Sequence, residues 1–380
     1  METIVKRQDL QKARRIIIKI GSALLADTEP YPFERFSWQI RKLTESGRQI
    51  ILVSSGAIAL GLAPMGLTHK PKSLSMLQAA AAAGQGILMS RWQYAFSRYQ
   101  LHPAQVLLTH EDFKARRRYL NARSTLMELL NAGVVPVINE NDTVSVDEIK
   151  FGDNDALAAL VGGLVEADLL IILTQTDGLF TADPRQNPEA SRISQVDEIT
   201  PEIMNLGGGA SHLGTGGMIT KLQAARNARE QGIATLIAPG RIEHILDRLF
   251  QLEDWGTFFA AKPYEQTISA RKRWIAYALK PGGRIMVDPG ARKALQKGSS
   301  LLVAGTRGVQ GIFLPGDAVD LYTENSTTPF ARGLVRLSAQ QLQAVLGCKT
   351  EKARKILNEP IPDELIHRDD LILLEPEELK

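Results

Sequence analysis

The sequence predicts an α/β fold with a mainly parallel central sheet, followed by a small β-rich domain. Three observations carry that expectation. Short apolar runs recur through the first 250 or so residues, and they are continuous rather than alternating, as in strands buried on both faces. Stretches with helical spacing separate them, and strand–helix alternation gives a parallel sheet covered by helices. After about residue 260 the chain turns to short strand-like pieces broken by Gly and Pro, the mark of a separate β-rich unit.

In chain order, the predicted strands are RIIIKI (15–20), QIILV (49–53), QVLLT (105–109), VVPVI (134–138), LLIILT (169–174) and ATLIA (234–238). Helices are predicted between them. Phe33 to Ser46 has amphipathic spacing and stops at Gly47, Ser75 to Arg98 begins Ala-rich, and Arg123 to Asn131 follows the basic run RRR. Asp155 to Val165 and Lys221 to Gln231 complete the set. From Gly282 the pieces RIMVD, SLLVAGTRGVQGIF, PGDAVDLYT and FARGLVRLS read as short strands. The expected division is an α/β domain over 1–261, a linker over 262–281, a β-rich domain over 282–365 and a tail over 366–380. A chain of 380 residues exceeds what one core usually covers, so two domains are expected.

The totals exclude several classes. A net charge of +3 is too small to imply a nucleic-acid or membrane partner from global electrostatics. Cys348 is the only cysteine, so no intrachain disulfide forms and a reducing, cytoplasmic setting is expected. At the N-terminus a basic stretch precedes IIIKIGSALLA, but Lys19 interrupts the apolar run, which reads as a strand and a Gly turn rather than as a signal peptide. Glu166 and Asp168 break the best candidate for a membrane span.

Five strand ends hold the chemistry. An open parallel sheet binds ligands at the carboxyl ends of its strands. Lys19 lies near the end of the first strand, followed by Gly21 and Ser22. A lysine in an apolar strand is costly to bury unless it meets an anion; the other reading is an edge lysine that snorkels to water. The second strand runs into Ser54, Ser55 and Gly56 before a helical stretch, either a plain cap or a set of N–H groups facing an anion. The fourth strand opens onto Asn139, Glu140, Asn141 and Asp142, and Asp153, Asn154 and Asp155 follow a Gly. These are turn and cap residues or a binding cluster. Thr174 ends the fifth strand, with Asp177, Asp183 and Arg185 beyond it. A Gly-rich loop, Gly207 to Gly217, leads through Thr220 and Lys221 into a helix, which fits phosphate binding or a flexible link. The Gly-to-Lys spacing is not that of a Walker A loop. His110 and His212 stand isolated in the sequence and read as surface or packing histidines rather than catalysts, no Cys/His metal spacing occurs, and HRDDLILL has Leu374 where a protein-kinase loop needs Asn.

These blocks, IIIKIGSALL, ILVSSGAIALG, LLTHEDF, YLNARSTL, VPVINENDTV, FGDNDALAA, GLFTADPR and LGTGGMITKLQAA, resemble the amino acid kinase family, in its order, and most closely the branch that acts on glutamate. VDPGARKAL through HRDDLIL resembles a PUA domain. The resemblance implies an amino acid kinase-like sandwich with a PUA-like barrel behind it. The implied activity is transfer of the γ-phosphoryl of ATP, with Mg2+, to the side-chain carboxylate of L-glutamate, the first step toward proline. By the same resemblance Lys19 and Lys221 contact the phosphates and Asp155 orients both. Ser55, Asn139, Asp142, Asp153 and Asn154 surround glutamate. Gly21, Thr174, Gln175, Thr215, Gly216, Gly217, Met218, Ile219 and Thr220 line the nucleotide site. Proline as inhibitor, homo-oligomers and coupling to glutamyl phosphate reductase also follow from the resemblance. The chain departs from the family at Gln175, where Asp is common after the strand Thr, and at Ala23, where a hydroxyl is common.

A carboxylate acceptor is already ionised at neutral pH, with a pKa near ~4.3, so no general base is needed. Two other readings stand beside this one. One is an amino acid kinase acting on N-acetylglutamate, aspartate, carbamate or a nucleoside monophosphate. The other is an RNA-binding or regulatory protein working through the PUA-like end. Residues 281–380 hold 13 Lys and Arg against 13 Asp and Glu, without the basic surplus usual for RNA binding.

Overall fold

The computed structural model describes residues 3–25, 32–145, 154–208, 217–263, 272, 275–276, 279–324, 326, 328–358 and 361–374. The chain forms two compact units, Met1–Thr267 and Ile268–Lys380.

The first unit is built on an eight-stranded sheet of β1 (Arg15–Ile20), β2 (Gln49–Ser54), β3 (Pro103–Leu108), β4 (Val135–Glu140), β5 (Leu169–Thr174), β6 (Gln195–Val196), β7 (Ala234–Pro239) and β8 (Thr257–Phe259). Their spatial order is β3-β4-β2-β1-β5-β7-β8-β6. Neighbours from β3 to β7 are parallel, and β8 runs antiparallel to β7. The chain builds from β1 outward through β2 in one direction, then returns to place β5 on β1's other side. Such a reversal of strand order opens a crevice at the carboxyl ends of the strands.

Side-chain alternation along the strands decides what faces what. Ile16, Ile18 and Ile20 join one buried core with Phe33, Phe36 and Ile40 of the helix Pro32–Glu45 and with Leu88, Trp92 and Phe96 of the helix Leu74–Ser97. Ile17 points the other way, toward the helix Asn154–Val165, where a Cβ on Gly162 would lie 3.9 Å from it. Lys19 shares the parity of Ile17, so it too faces that helix. By the same rule Asn139, two residues beyond the core residue Val137, faces the side of the helix Leu74–Ser97. The predicted strands all form, with ends shifted by at most two residues. The helix Arg116–Asn131 begins seven residues before Arg123, because the basic run has good helix propensity and can stay solvated. The helix Met218–Glu230 begins three residues before Lys221, so Lys221 lies inside the first turns rather than at the start. Strands β6 and β8, of two and three residues, are too short to leave a periodic signal.

The second unit has a five-stranded sheet, β9 (Gly283–Val287), β10 (Thr306–Gly311), β11 (Ala318–Tyr322), β12 (Ala331–Leu334) and β13 (Leu371–Leu373), in the order β10-β9-β11-β12-β13. Among the described residues three α-helices, Pro289–Gln296, Ala339–Val345 and Thr350–Leu357, accompany the strands of a unit expected to be β-rich. Each opens on an extended residue, and Asp288 and Ser338 cap the first two by accepting from Ala291 and Gln341 backbone N–H groups. Strand β13 pairs with β12 and lies beyond residue 365, in the stretch expected as tail.

Candidate active site

The crevice at the β1–β5 switch holds the cluster. Asp155, the second residue of the helix Asn154–Val165, is 1% exposed in its side chain. It lies 2.5 Å from Lys19 Nζ and 3.1 Å from Lys221 Nζ, one carboxylate oxygen to each lysine. Thr220 Oγ1 donates to Asp155 Oδ2 at 3.1 Å. Strand parity turns Lys19 toward this helix, and the helix Met218–Glu230 packs beside it and delivers Lys221. Burial pushes the Asp155 carboxyl up, but the two lysines outweigh it and hold the group at about 2. The Asp155 carboxylate therefore stays ionised between the two lysine amines in a low-dielectric site. Asp155 also gains from its place in the first turn of its helix.

The preceding residue, Asn154, points to the other half of the site. Its Nδ2 donates to Ser55 Oγ at 2.8 Å and to Asn139 Oδ1 at 3.0 Å. Asn139 Nδ2 in turn donates to Gln85 Oε1 at 2.9 Å. Asn154 Oδ1 is buried and lacks a hydrogen-bond partner among the described residues. Adjacent residues at one helix start thus join the lysine pair to the Ser and amide group.

A cleft of about 460 Å3 contains both halves. Lys19, Gly21, Ser55, Asn139, Asp142, Asn154, Thr174, Gln175 and Lys221, all singled out from sequence, line it. Thr220 does not line it but donates to Asp155, which holds the two lining lysines. Gly217 caps the helix, and Met218 and Ile219 open it, half-exposed. Asp153, Thr215 and Gly216 lie outside the described residues, as does His212. Gln175 is exposed and lines the cleft, whereas Asp177 does not line it. His110 lies 3.8 Å from Glu140, half-buried.

Sequence reasoning passed over three residues. Glu140, buried at the end of β4, lines the cleft and accepts from Ser145 Oγ at 2.9 Å. Burial and the neighbouring Glu140 charge raise the Asp142 carboxyl from 3.8 to about 7, with exposed Lys70, another lining residue, acting against them. Gln85 was invisible because its partner Asn139 is 54 residues away in the chain. Among the described residues no group of three or more His, Cys, Asp or Glu side chains could hold a metal ion.

The family model for the amino acid kinases matches residues 14–239, more than half of the chain and all the residues just described. The chain belongs to the amino acid kinase family. A PUA domain model matches residues 283–357. This amino acid kinase is 45% identical over 376 residues to the glutamate 5-kinase of Pelobacter propionicus, across 97% of this chain and 100% of that protein. It is 47% identical over 374 residues to the glutamate 5-kinase of Thioalkalivibrio sulfidiphilus, across 97% and 99%. Against the glutamate 5-kinase of Stutzerimonas stutzeri the identity is 48% over 374 residues, across 97% and 100%. A kinase of this family uses ATP.

Proposed function

We propose that this amino acid kinase transfers the γ-phosphoryl group of ATP to the side-chain carboxylate of L-glutamate, giving L-glutamyl 5-phosphate and ADP. The observation that carries the reading is Asp155 holding two ammonium groups, at 2.5 and 3.1 Å, inside a cleft whose other wall is the Ser and amide cluster. An oxygen of the substrate carboxylate attacks the γ-phosphorus, and the bond to the β,γ-bridging oxygen breaks. No proton has to be removed from the nucleophile, since a glutamate carboxyl is ionised well below neutral pH. The obstacle is repulsion between two anions. Lys19 and Lys221 stabilise the charge spread over the migrating group, and Asp155 keeps both amines aimed at one place.

Asp142 pairs with the substrate ammonium once ionised, while Ser55, Asn139 and Asn154 donate to or accept from its polar ends. Asp153 lies beside them in sequence, and by the family resemblance Thr215 and Gly216 belong to the nucleotide site. Gly21, Thr174 and Gln175 line the cleft with Lys19 and serve the nucleotide side. Mg2+ would arrive on the nucleotide, with phosphate and water ligands; the donor set of the cleft offers Glu140 and Asp142 but no cage, and no step above depends on a protein-held ion. Inhibition by proline, self-association and hand-over of the labile acyl phosphate to glutamyl phosphate reductase belong to the same reading and come from the family resemblance. No helix among the described residues is long and apolar enough to cross a membrane, and a cytoplasmic enzyme is the placement proposed.

Hydroxylamine traps an activated carboxyl as a hydroxamate. Hydroxamate formed from ATP only when L-glutamate is present is the expected result, with N-acetylglutamate, aspartate, carbamate and nucleoside monophosphates inactive. Folded protein that forms none, or that prefers another acceptor, overturns the assignment.

A further inference from the structure

We propose that Lys70 takes the α-carboxylate of the amino acid substrate and, with Asp142, forms a clamp for the zwitterionic end of L-glutamate. This rests on the glutamate reading above and deepens it by naming a residue that selects an α-amino acid over a plain carboxylate. Three lysines line the cleft, Lys19, Lys70 and Lys221. Asp155 holds two of them, at 2.5 and 3.1 Å, and these serve the migrating phosphoryl group. Lys70 is exposed and enters no ion pair among the described residues, so its ammonium is available to a ligand. Glutamate brings a second carboxylate that the lysine pair does not serve, and it sits on the same carbon as the ammonium.

Lys70 stands between the short 3-10 turn Ala63–Met65 and the helix Leu74–Ser97. The N–H groups of Gly66 and Leu67 donate to the carbonyl oxygens of Ala63 and Leu62, at 3.0 and 2.9 Å, and close the start of that stretch. Pro71 follows Lys70 and disfavours helical backbone there. The Lys70 charge is felt at Asp142, where it works against burial and Glu140, so both residues serve one end of the cleft. They do not pair with each other. A cation and an anion that line one cleft without meeting fit a ligand bearing both signs on one carbon. Glu140, the other lining carboxylate, accepts from Ser145 at 2.9 Å and would repel an α-carboxylate, a repulsion that Lys70 offsets. Ile58, Ala59 and Leu62 give the same cleft an apolar stretch for the substrate methylenes.

Two analogues separate the charges. Glutarate keeps both carboxylates and lacks the amino group. γ-Aminobutyrate keeps the amino group and the carboxylate that would be phosphorylated, and lacks the α-carboxylate. Glutamate KM and kcat, and the inhibition constants of both analogues, are measured for full-length wild type, Lys70→Gln and Lys70→Arg. Expected in Lys70→Gln are a glutamate KM and a glutarate constant raised roughly tenfold, with kcat within about threefold of wild type. The γ-aminobutyrate constant should stay within about threefold, because that ligand has nothing for Lys70 to hold. Lys70→Arg keeps the charge and should keep a glutamate KM within about threefold of wild type. A glutamate KM unmoved in Lys70→Gln overturns the proposal, and so does an equal rise for all three ligands, which would mean a displaced loop. If an analogue binds too weakly to inhibit, the salt response decides. Added salt should raise glutamate KM more in wild type than in Lys70→Gln, and an equal response refutes the contact. Failure of wild type to phosphorylate glutamate would strike the functional reading, whereas failure of the clamp leaves wild-type activity intact.

Discussion

A single carboxylate holding two buried ammonium groups is a costly arrangement, and its residues should answer differently to substitution. Removing one partner of a buried charge group leaves the others uncompensated. Lys221→Ala is expected to lower kcat by roughly a hundredfold or more while moving glutamate KM much less, because its charge matters most when the phosphoryl group is in transit. Steady-state kinetics decide this, and an unchanged kcat with a raised KM would remove Lys221 from the reacting centre. Asp142 titrates in a useful range. Burial and Glu140 raise its carboxyl from 3.8 to about 7 in the free protein, so between those values the folded chain holds a proton that the unfolded chain has released. Its contribution to stability is therefore present at low pH and is lost as pH rises through about 7. Pairing with the substrate ammonium requires the ionised form. Glutamate KM should fall as pH rises toward and through about 7, by up to about tenfold per pH unit on the acid side. In Asp142→Asn the KM is expected to be higher and nearly flat with pH. A wild-type profile that is equally flat would show that Asp142 does not carry the ammonium contact.

The helix Leu74–Ser97 shows how an element fixes residues it does not itself seem to concern. It meets the short helix Ala57–Gly61 so closely that a Cβ on Gly84 would lie 1.8 Å from the Ala57 carbonyl oxygen, and one on Gly61 would lie 1.8 Å from that of Ala80. These contacts seat the Ser55–Gly56 turn, and they place Gln85, next to Gly84, against Asn139. Gly84→Ala cannot be accommodated without moving one helix, and overpacking of this kind costs about 1–3 kcal/mol. Urea unfolding should show that loss, together with a raised glutamate KM. A fully stable variant with normal kinetics would mean that the two helices are free to separate. The Ala-rich stretch was legible as a helix from its composition, but the need for Gly84 in it and for Gly61 in the facing helix was not, since that reason lies in a neighbour brought close only by folding. The same contrast runs through the site. Lys19, Ser55, Asn139 and Thr174 were legible because each closes or follows an apolar strand run, and strand ends are where an open sheet binds ligands, whereas the role of Asp155, at a helix start, came only from the family resemblance. Glu140 went unread as a site residue although it stands in the same cluster, because spacing alone does not say which of four polar neighbours turns inward. In the second unit the helices Pro289–Gln296, Ala339–Val345 and Thr350–Leu357 are each about two turns long, too short for periodicity to outweigh the surrounding turn residues.

Across the whole chain the apolar residues sort into separate cores. The kinase unit buries Ile16, Ile18, Phe36, Trp92 and Leu236 in one of them, while Ile285, Phe313, Leu321, Leu342 and Ile366 pack within the second unit. A unit with its own core can unfold cooperatively on its own. Calorimetry of the intact protein is therefore expected to resolve two transitions, for the units Met1–Thr267 and Ile268–Lys380. All the cleft residues lie in the first, so ligand should act on that transition alone. A ligand at a hundred times its Kd stabilises the state it binds by about 2.7 kcal/mol, and each kcal/mol raises the midpoint of a domain this large by roughly 2–4 °C. A nonhydrolysable ATP analogue is the suitable probe, because turnover would consume the nucleotide during the scan. It should move the kinase transition upward by about 5–10 °C and leave the other in place. A substitution on the second unit's core, such as Leu342→Ala, should do the opposite, lowering only the transition that the nucleotide leaves unmoved, by an amount set by a loss of about 2–5 kcal/mol. If both transitions shift together in either experiment, or only one is seen, the two cores act as a single cooperative body and the second unit becomes part of the energetics of the active site.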